Sequence, residues 1–345
     1  MPLADALRVQ AKVCRQMGAP FYGVLSERLA DDVAAGGPTA TLLAAHGMTT
    51  VEAALPLRLL GGVHRLVLAG RAAGLSAHFP STGGDGDAEA AWPALRALLA
   101  DPPPMVRDAL GRPPQTNEVG RCAALVGGFL VVARDTGLPL RILELGASAG
   151  LHLRFDRYWY EADGLGFGEP ASPVRFLDLW DAGRPPLATR LVVADRRGCD
   201  REPIDPTTDE GRLTLLAYVW PDQATRLTTL RAALAVARDF PVTIDRGEIP
   251  GWLRERLRKP VEDRATVVVH SITWQYLTAE ERADVAATLA AAGARATGAS
   301  PLAWLRLEPA ADPAHTDLRL TVWPRGEERL LATAGYHWGR VRWLA

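Results

Sequence analysis

An α/β fold is what this sequence predicts: a Rossmann-like, doubly wound, mostly parallel sheet with an antiparallel C-terminal hairpin, preceded by an all-α N-terminal region. Three observations carry the prediction. Up to about residue 100, apolar residues recur three and four apart; after 115, short apolar strands alternate with helical segments; past Leu302, only turns separate the strands.

Taken in order, Leu3–Met17, Phe21–Val33 and Ala53–Ala72 carry the helical period, and Ala88–Leu99 opens on acidic residues as a helix should. The loop Ser81-Thr82-Gly83-Gly84-Asp85-Gly86-Asp87 breaks the pattern, and prolines at 102–104 and 113–114 bracket a domain boundary. The expected division is a helical cap or substrate domain over 1–115 and an α/β domain over 116–345. Within the latter, strands are expected at Leu138–Leu145, Arg190–Ala194 running on toward Asp200, Val242–Ile244, Ala265–His270, Leu302–Leu307, Leu318–Trp323, Leu330–Ala334 and Val341–Leu344. Helices are expected at Ala149–Trp159, Gly211–Trp220, Ala224–Asp239, Trp252–Arg258 and Ala279–Ala292. Residues 160–189, rich in Gly and Pro, read as an irregular insertion or lid.

Composition narrows the function. The 39 Lys and Arg against 40 Asp and Glu give a net charge of −1, without the basic excess of a nucleic-acid binder, and the ten tryptophans are dispersed. Only Lys12 and Lys259 are lysines, a skew that fits a GC-rich coding sequence and says little about ligands. Cys14, Cys122 and Cys199 have neither disulfide nor zinc spacing, and the histidines show no metal-ligand pattern. The longest apolar run, Cys122–Ala133, is too short to cross a bilayer, and the N-terminus reads as an amphipathic helix rather than a signal peptide. The expectation is a cytoplasmic protein acting on a small molecule, without nucleic acid, membrane or metal, its oligomeric state and partner proteins left open.

The chemistry concentrates at Glu144-Leu145-Gly146-Ala147-Ser148-Ala149-Gly150. A strand delivers an acid, and glycines then let a ligand approach the backbone at the carboxyl end of the sheet. The same letters spell a nucleophile elbow on Ser148, but the expected oxyanion motif is missing. Asn117, the single asparagine, sits with Gln115, Glu118 and Arg121 in one short segment. Asn117 is either a helix N-cap or, with Gln115, Glu118 and Arg121, a clamp for a carboxylate or amine. His270 at a strand end is the candidate general base, or else a buried, hydrogen-bonded histidine. Asp222 reads as the cap of the helix that follows it, and His152 as a surface or core histidine.

Glu144-x-Gly146-x-Ser148-x-Gly150 resembles the first motif of class I S-adenosylmethionine-dependent methyltransferases, with Ser148 where that pattern has its central glycine. The resemblance implies that Glu144, Gly146, Ser148, Gly150 and Ser271 line a cofactor site. It also implies that Asp200, with Asp195 second, binds ribose, and that Asp245, with Glu248 in reserve, sits near adenine. Over almost the whole chain, Gln115–Arg121, Glu144–Gly150, Asp156-Arg157-Tyr158, Arg197–Asp200, Val219–Asp222 and His270-Ser271 resemble the bacterial domain-of-unknown-function family DUF2332. That likeness implies an enzyme-like pocket and little about substrate.

The leading expectation is therefore methyl transfer from S-adenosylmethionine to a small-molecule heteroatom, with His270, Asn117, Glu118 and Arg121 at the reacting centre. The alternative on the same fold is cofactor-independent elimination or cyclisation, such as formation of a nitrogen heterocycle. A different class is a non-catalytic small-molecule sensor or partner subunit.

Overall fold

The computed structural model describes residues 2–44, 54–312, 314–337 and 339–345; Ala53, at the start of an expected helix, lies outside them. The helical part contains α1 (Leu3–Gln16), α2 (Pro20–Ala34), α3 (Pro38–Ala44), α4 (Leu55–Leu68), α5 (Ala73–Ser76), α6 (Ala88–Ala100) and α7 (Pro104–Leu110). There follow α8 (Cys122–Thr136), β1 (Leu140–Leu145), β2 (Trp159–Ala162), β3 (Leu165–Gly168), β4 (Arg175–Leu177), β5 (Trp180–Ala182) and β6 (Val193–Asp200). The chain continues through α9 (Asp209–Ala217), α10 (Ala224–Asp239), β7 (Thr243–Arg246), α11 (Ile249–Arg256), β8 (Ala265–Ser271) and α12 (Ala279–Gly293). It ends in β9 (Leu302–Pro309), β10 (Thr316–Trp323), β11 (Glu327–Ala334) and β12 (Val341–Trp343).

Two compact units divide the chain: Met1–Thr116 with Thr208–Thr228, and Asn117–Thr207 with Thr229–Ala345. In the first, Leu25 and Leu29 of α2, Leu59 and Val63 of α4, Leu95 of α6 and Val106 of α7 form one apolar cluster with Trp220. The spacing of four within α2 and α4 puts each pair on one helix face. Asp87 caps α6 by accepting the Ala90 amide at 3.0 Å. The residue preceding α2 is Ala19, which has no capping side chain. Asp222 supplies the missing acceptor, its Oδ2 lying 2.9 Å from the Phe21 amide. The aspartate expected to cap its own following helix thus caps a helix two hundred residues earlier in the chain, because that end had an unmet donor.

The second unit is built on a nine-stranded sheet in the order β5-β12-β11-β10-β9-β8-β1-β6-β7. From β7 to β9 neighbours are parallel; from β9 to β12 they are antiparallel, which is the α/β class expected. Alternation along β1 separates two faces. Leu143 and Leu145 join Val268 and Leu302 against Leu253 of α11 and Val285 and Leu289 of α12. On the other face lies α8, whose Gly128 leaves room for Leu305.

Two expectations are corrected. Residues 160–189 are not irregular: β2, β3 and β4 form a small separate sheet, and β5 runs parallel to β12 at the outer edge of the large one. Strands of three or four residues between Gly and Pro are too short to display a period of two. The helix expected at Ala149–Trp159 is instead a 3₁₀ run, His152–Arg157, interrupted at Arg154. The carbonyls that an α-helix would use are taken by side chains. Arg154 donates to Ala149 O (3.1 Å) and Gly150 O (2.8 Å), and the Tyr158 hydroxyl to Leu151 O (2.8 Å).

Candidate functional site

At the carboxyl end of β1 the chain turns through three left-handed residues, Gly146 (φ 67°), Ser148 (φ 52°) and Gly150 (φ 67°). The neighbouring strand holds this loop: Ala147 N–H donates to Cys199 O at 3.0 Å and Ser148 N–H to Asp200 Oδ2 at 2.8 Å. Asp200 Oδ1 accepts the Glu202 amide at 2.9 Å. The glycines make room for the protein itself. A Cβ on Gly146 would lie 2.7 Å from the Thr273 side chain, and one on Gly150 2.8 Å from Ile244 Cδ1.

Glu144 projects toward the α8 face and is 2% exposed. Its Oε1 lies 2.9 Å from His152 Nδ1, and His152 Nε2 lies 2.9 Å from the Glu118 carbonyl. Carboxylate and carbonyl both accept, so both ring nitrogens face acceptors. Two protons are therefore shared by the pair, as imidazolium with carboxylate or as imidazole with carboxylic acid. Glu144 Oε2 is buried and has no hydrogen-bond partner among the described residues. An orphaned buried oxygen of this kind is costly unless a ligand or water donates to it.

The Asn117–Arg121 segment closes around the same place. Asn117 is not the N-cap: Glu118 is, its Oε1 accepting the Gly120 amide at 3.0 Å at the start of the 3₁₀ turn Val119–Arg121. Asn117 Oδ1 instead accepts the Leu151 amide at 2.8 Å, just beyond the glycine loop. Arg121 donates from Nη1 to Ser271 O and Oγ, each at 3.2 Å, and from Nε to Tyr336 O at 3.1 Å. Asn117, Glu118, Glu144, Ser148 and Asp200 are thereby tied to the loop or to the residues just after it, while Arg121 and Ser271 bond to each other. Gln115 belongs to the other unit.

His270 and Asp245 stand apart, on the α11–α12 face. His270, 1% exposed, donates from Nδ1 to Glu308 Oε1 at 2.6 Å and accepts the Trp304 indole N–H on Nε2 at 3.0 Å. Neither nitrogen keeps a lone pair for a substrate proton in this arrangement, which is that of a satisfied buried histidine. Asp245 is gripped by Arg197 at 2.6 and 2.7 Å, by the Trp252 indole at 2.6 Å and by Arg256 at 3.1 Å. The Arg197 hydrogen bonds, against a smaller opposing effect of burial, hold its carboxyl down at about 2. Its side chain belongs to the α11 cluster rather than to the Gly150 loop. The reserve acid, Glu248, pairs with Arg201 at 2.6 Å.

His152 is the residue that sequence reasoning passed over. The available signal was its place eight residues after a strand-end acid, close enough for a tight turn to return it to that acid.

Fold and site together define a mixed α/β protein with an acid–imidazole pair and a left-handed glycine loop at the carboxyl end of its sheet. The chain belongs to a bacterial family: residues 4–343 match DUF2332, described as an uncharacterized protein conserved in bacteria. Among curated proteins nothing matches it. No helix among the described residues is long and apolar enough to cross a membrane.

Proposed function

We propose that the second unit binds S-adenosylmethionine at the carboxyl ends of β1 and β6 and passes its methyl group to a heteroatom of a small molecule. The observation that carries this reading is the convergence of two acids on one left-handed loop: Asp200 bonded to the Ser148 amide, and Glu144 with a buried oxygen lacking a partner. The order β7-β6-β1-β8-β9 is the 3-2-1-4-5 of doubly wound sheets, which bind ligands at this end.

The donor set fits the cofactor at two places and not at a third. Each oxygen of Asp200 accepts one amide and retains a lone pair for a ribose hydroxyl. Glu144 Oε2 suits an ammonium group. Asp245, saturated by Arg197, Trp252 and Arg256, does not fit the adenine role. When bound, the cofactor supplies an electrophilic methyl group on sulfur. Arg121, anchored on Ser271 and the Tyr336 carbonyl, provides a fixed positive charge beside which a carboxylate is favoured. An acceptor that already presents a lone pair requires no base here, and alignment supplies the acceleration.

Isothermal titration of the full chain with S-adenosylmethionine and S-adenosylhomocysteine tests this. Micromolar binding is expected, weakened about tenfold by Asp200→Asn through loss of charged hydrogen bonding. Absence of heat at millimolar ligand sinks the reading. The two protons shared by Glu144 and His152 favour a second one in that event, elimination or ring closure on an amine-bearing substrate without cofactor, with this pair moving the proton.

A further inference from the structure

A second arrangement of reactive groups lies wholly within the first unit. His64 of α4 is fully buried, and its Nδ1 lies 3.0 Å from the carbonyl oxygen of Ala217, the last residue of α9. A carbonyl only accepts, so Nδ1 carries the proton. The neutral ring then has its lone pair on Nε2, and Nε2 lies 2.8 Å from the Ser81 hydroxyl oxygen. With the ring neutral, the Ser81 hydroxyl is the donor. Phe79 (5.8 Å between ring centroids) and Tyr22 (6.5 Å) pack about the imidazole and fix its plane.

Ser81 is half-buried, in the 3₁₀ turn Pro80–Thr82. The loop that presents it is rigid despite its glycines. The amides of Thr82, Gly83, Gly84, Asp85 and Gly86 donate to carbonyls of residues 77–80 at 2.9–3.1 Å, and Thr82 Oγ1 to Ser76 O at 3.0 Å. A hydroxyl held on an imidazole, whose far nitrogen is oriented by a third group, is the arrangement of an activated serine nucleophile.

We propose that Ser81 and His64 form a second, hydrolytic site that takes carboxylic esters. Ser81 Oγ bonds to the ester carbonyl carbon, the bond to the leaving alkoxide breaks, and the Oγ proton passes through His64 Nε2 to that alkoxide. Water then attacks the Ser81 ester, delivers its proton to Nε2, and releases the carboxylic acid with the serine restored. Throughout, Nδ1–H stays on Ala217 O. The proposal is independent of any cofactor at the β1 loop.

The full chain is treated with a fluorophosphonate probe, and the adduct is located by peptide mass. One adduct at Ser81 is expected, absent in Ser81→Ala, with p-nitrophenyl acetate hydrolysis lost in the same variant. His64→Gln is expected to slow labelling about 100-fold or more, the usual contribution of a general base. Because a buried substitution can disturb folding, Ser81→Cys provides a second reading through iodoacetamide alkylation. Burial pushes the native thiols up, Cys14 to about 11 and Cys199 to about 12, so their background is low. The proposal is overturned by a folded protein that shows no Ser81 adduct, or by a Ser81→Cys thiol that reacts no faster than in the urea-unfolded chain.

Discussion

Glu144 Oε1 meets His152 Nδ1 at 2.9 Å with a second acceptor, the Glu118 carbonyl, behind the ring. His270 shows the opposite geometry, with an acceptor at Nδ1 and the Trp304 N–H at Nε2. Nitrogen-15 NMR of the imidazoles is expected to find a slowly exchanging proton on Nε2 of His152 and on Nδ1 of His270. A bare Nε2 on His152 would contradict the two-proton account of the pair.

The pair also sustains the fold. Removing the ring in His152→Ala takes the imidazole donor away from Glu144 Oε1 and from Glu118 O, which keeps the Arg121 amide at 3.3 Å. The expected loss is about 2–3 kcal/mol, from a buried carboxyl oxygen left without its donor and the space the ring vacates. Urea unfolding measures it, and a loss under about 1 kcal/mol would mean that water replaces the imidazole without penalty.

Asp245 makes stability depend on acid. Its carboxyl lies at about 2 in the folded chain, against about 3.9 when unfolded. A lowered folded value contributes stability that is full above about pH 4 and lost as pH falls through about 2. With the side chain 21% exposed, screening reduces the contribution to about 1–2 kcal/mol. Asp245→Asn should forfeit that amount at pH 7 and flatten the stability curve between pH 4 and 2. An unchanged acid slope would show that Arg197 and Arg256 find no stabilising partner there.

Gly146 separates backbone need from ligand need. At φ 67°, with Thr273 2.7 Å from where a Cβ would stand, Gly146→Ala should cost about 1–3 kcal/mol in thermal unfolding with no ligand present. Gly247→Ala, with open space around it, should stay within about 0.5 kcal/mol. Equal stability of the two variants would show that Thr273 yields freely. The first substitution is therefore a poor probe of cofactor binding, and Asp200→Asn a better one.

What the sequence shows and hides follows from interaction range. Long amphipathic helices and the strand Ala265–Ser271 are legible because burial imposes their period locally. The sequence also places Glu144 and Asp200 near the carboxyl ends of two strands, and β1 and β6 pair in parallel. Asp245, expected near adenine, is bonded to Arg197, Trp252 and Arg256, and His270 to Glu308 and Trp304, partners that no local pattern announces. Asp222 on Phe21 and Arg154 on Phe240 are partners far apart in the chain, which no local pattern announces.

Arg154 provides the sharpest test of why a 3₁₀ run replaces the expected helix. It is 2% exposed, and burial pulls its pKa below the usual arginine value, so its buried donors need acceptors. Three carbonyls supply them: Phe240 O at 2.8 Å from Nε, with Ala149 O and Gly150 O on Nη1. Lysine offers a single ammonium point and cannot span both sides of the fork. Arg154→Lys should therefore cost about 2–3 kcal/mol, and Arg154→Met, which leaves all three carbonyls without the guanidinium donors, about 3 kcal/mol or more. Circular dichroism adds a second reading. The freed carbonyls of Ala149 and Gly150 can accept from the amides four residues on, so helix content should rise in Arg154→Met even as the urea midpoint falls. A midpoint equal to that of the parent would show that the guanidinium does not hold this turn.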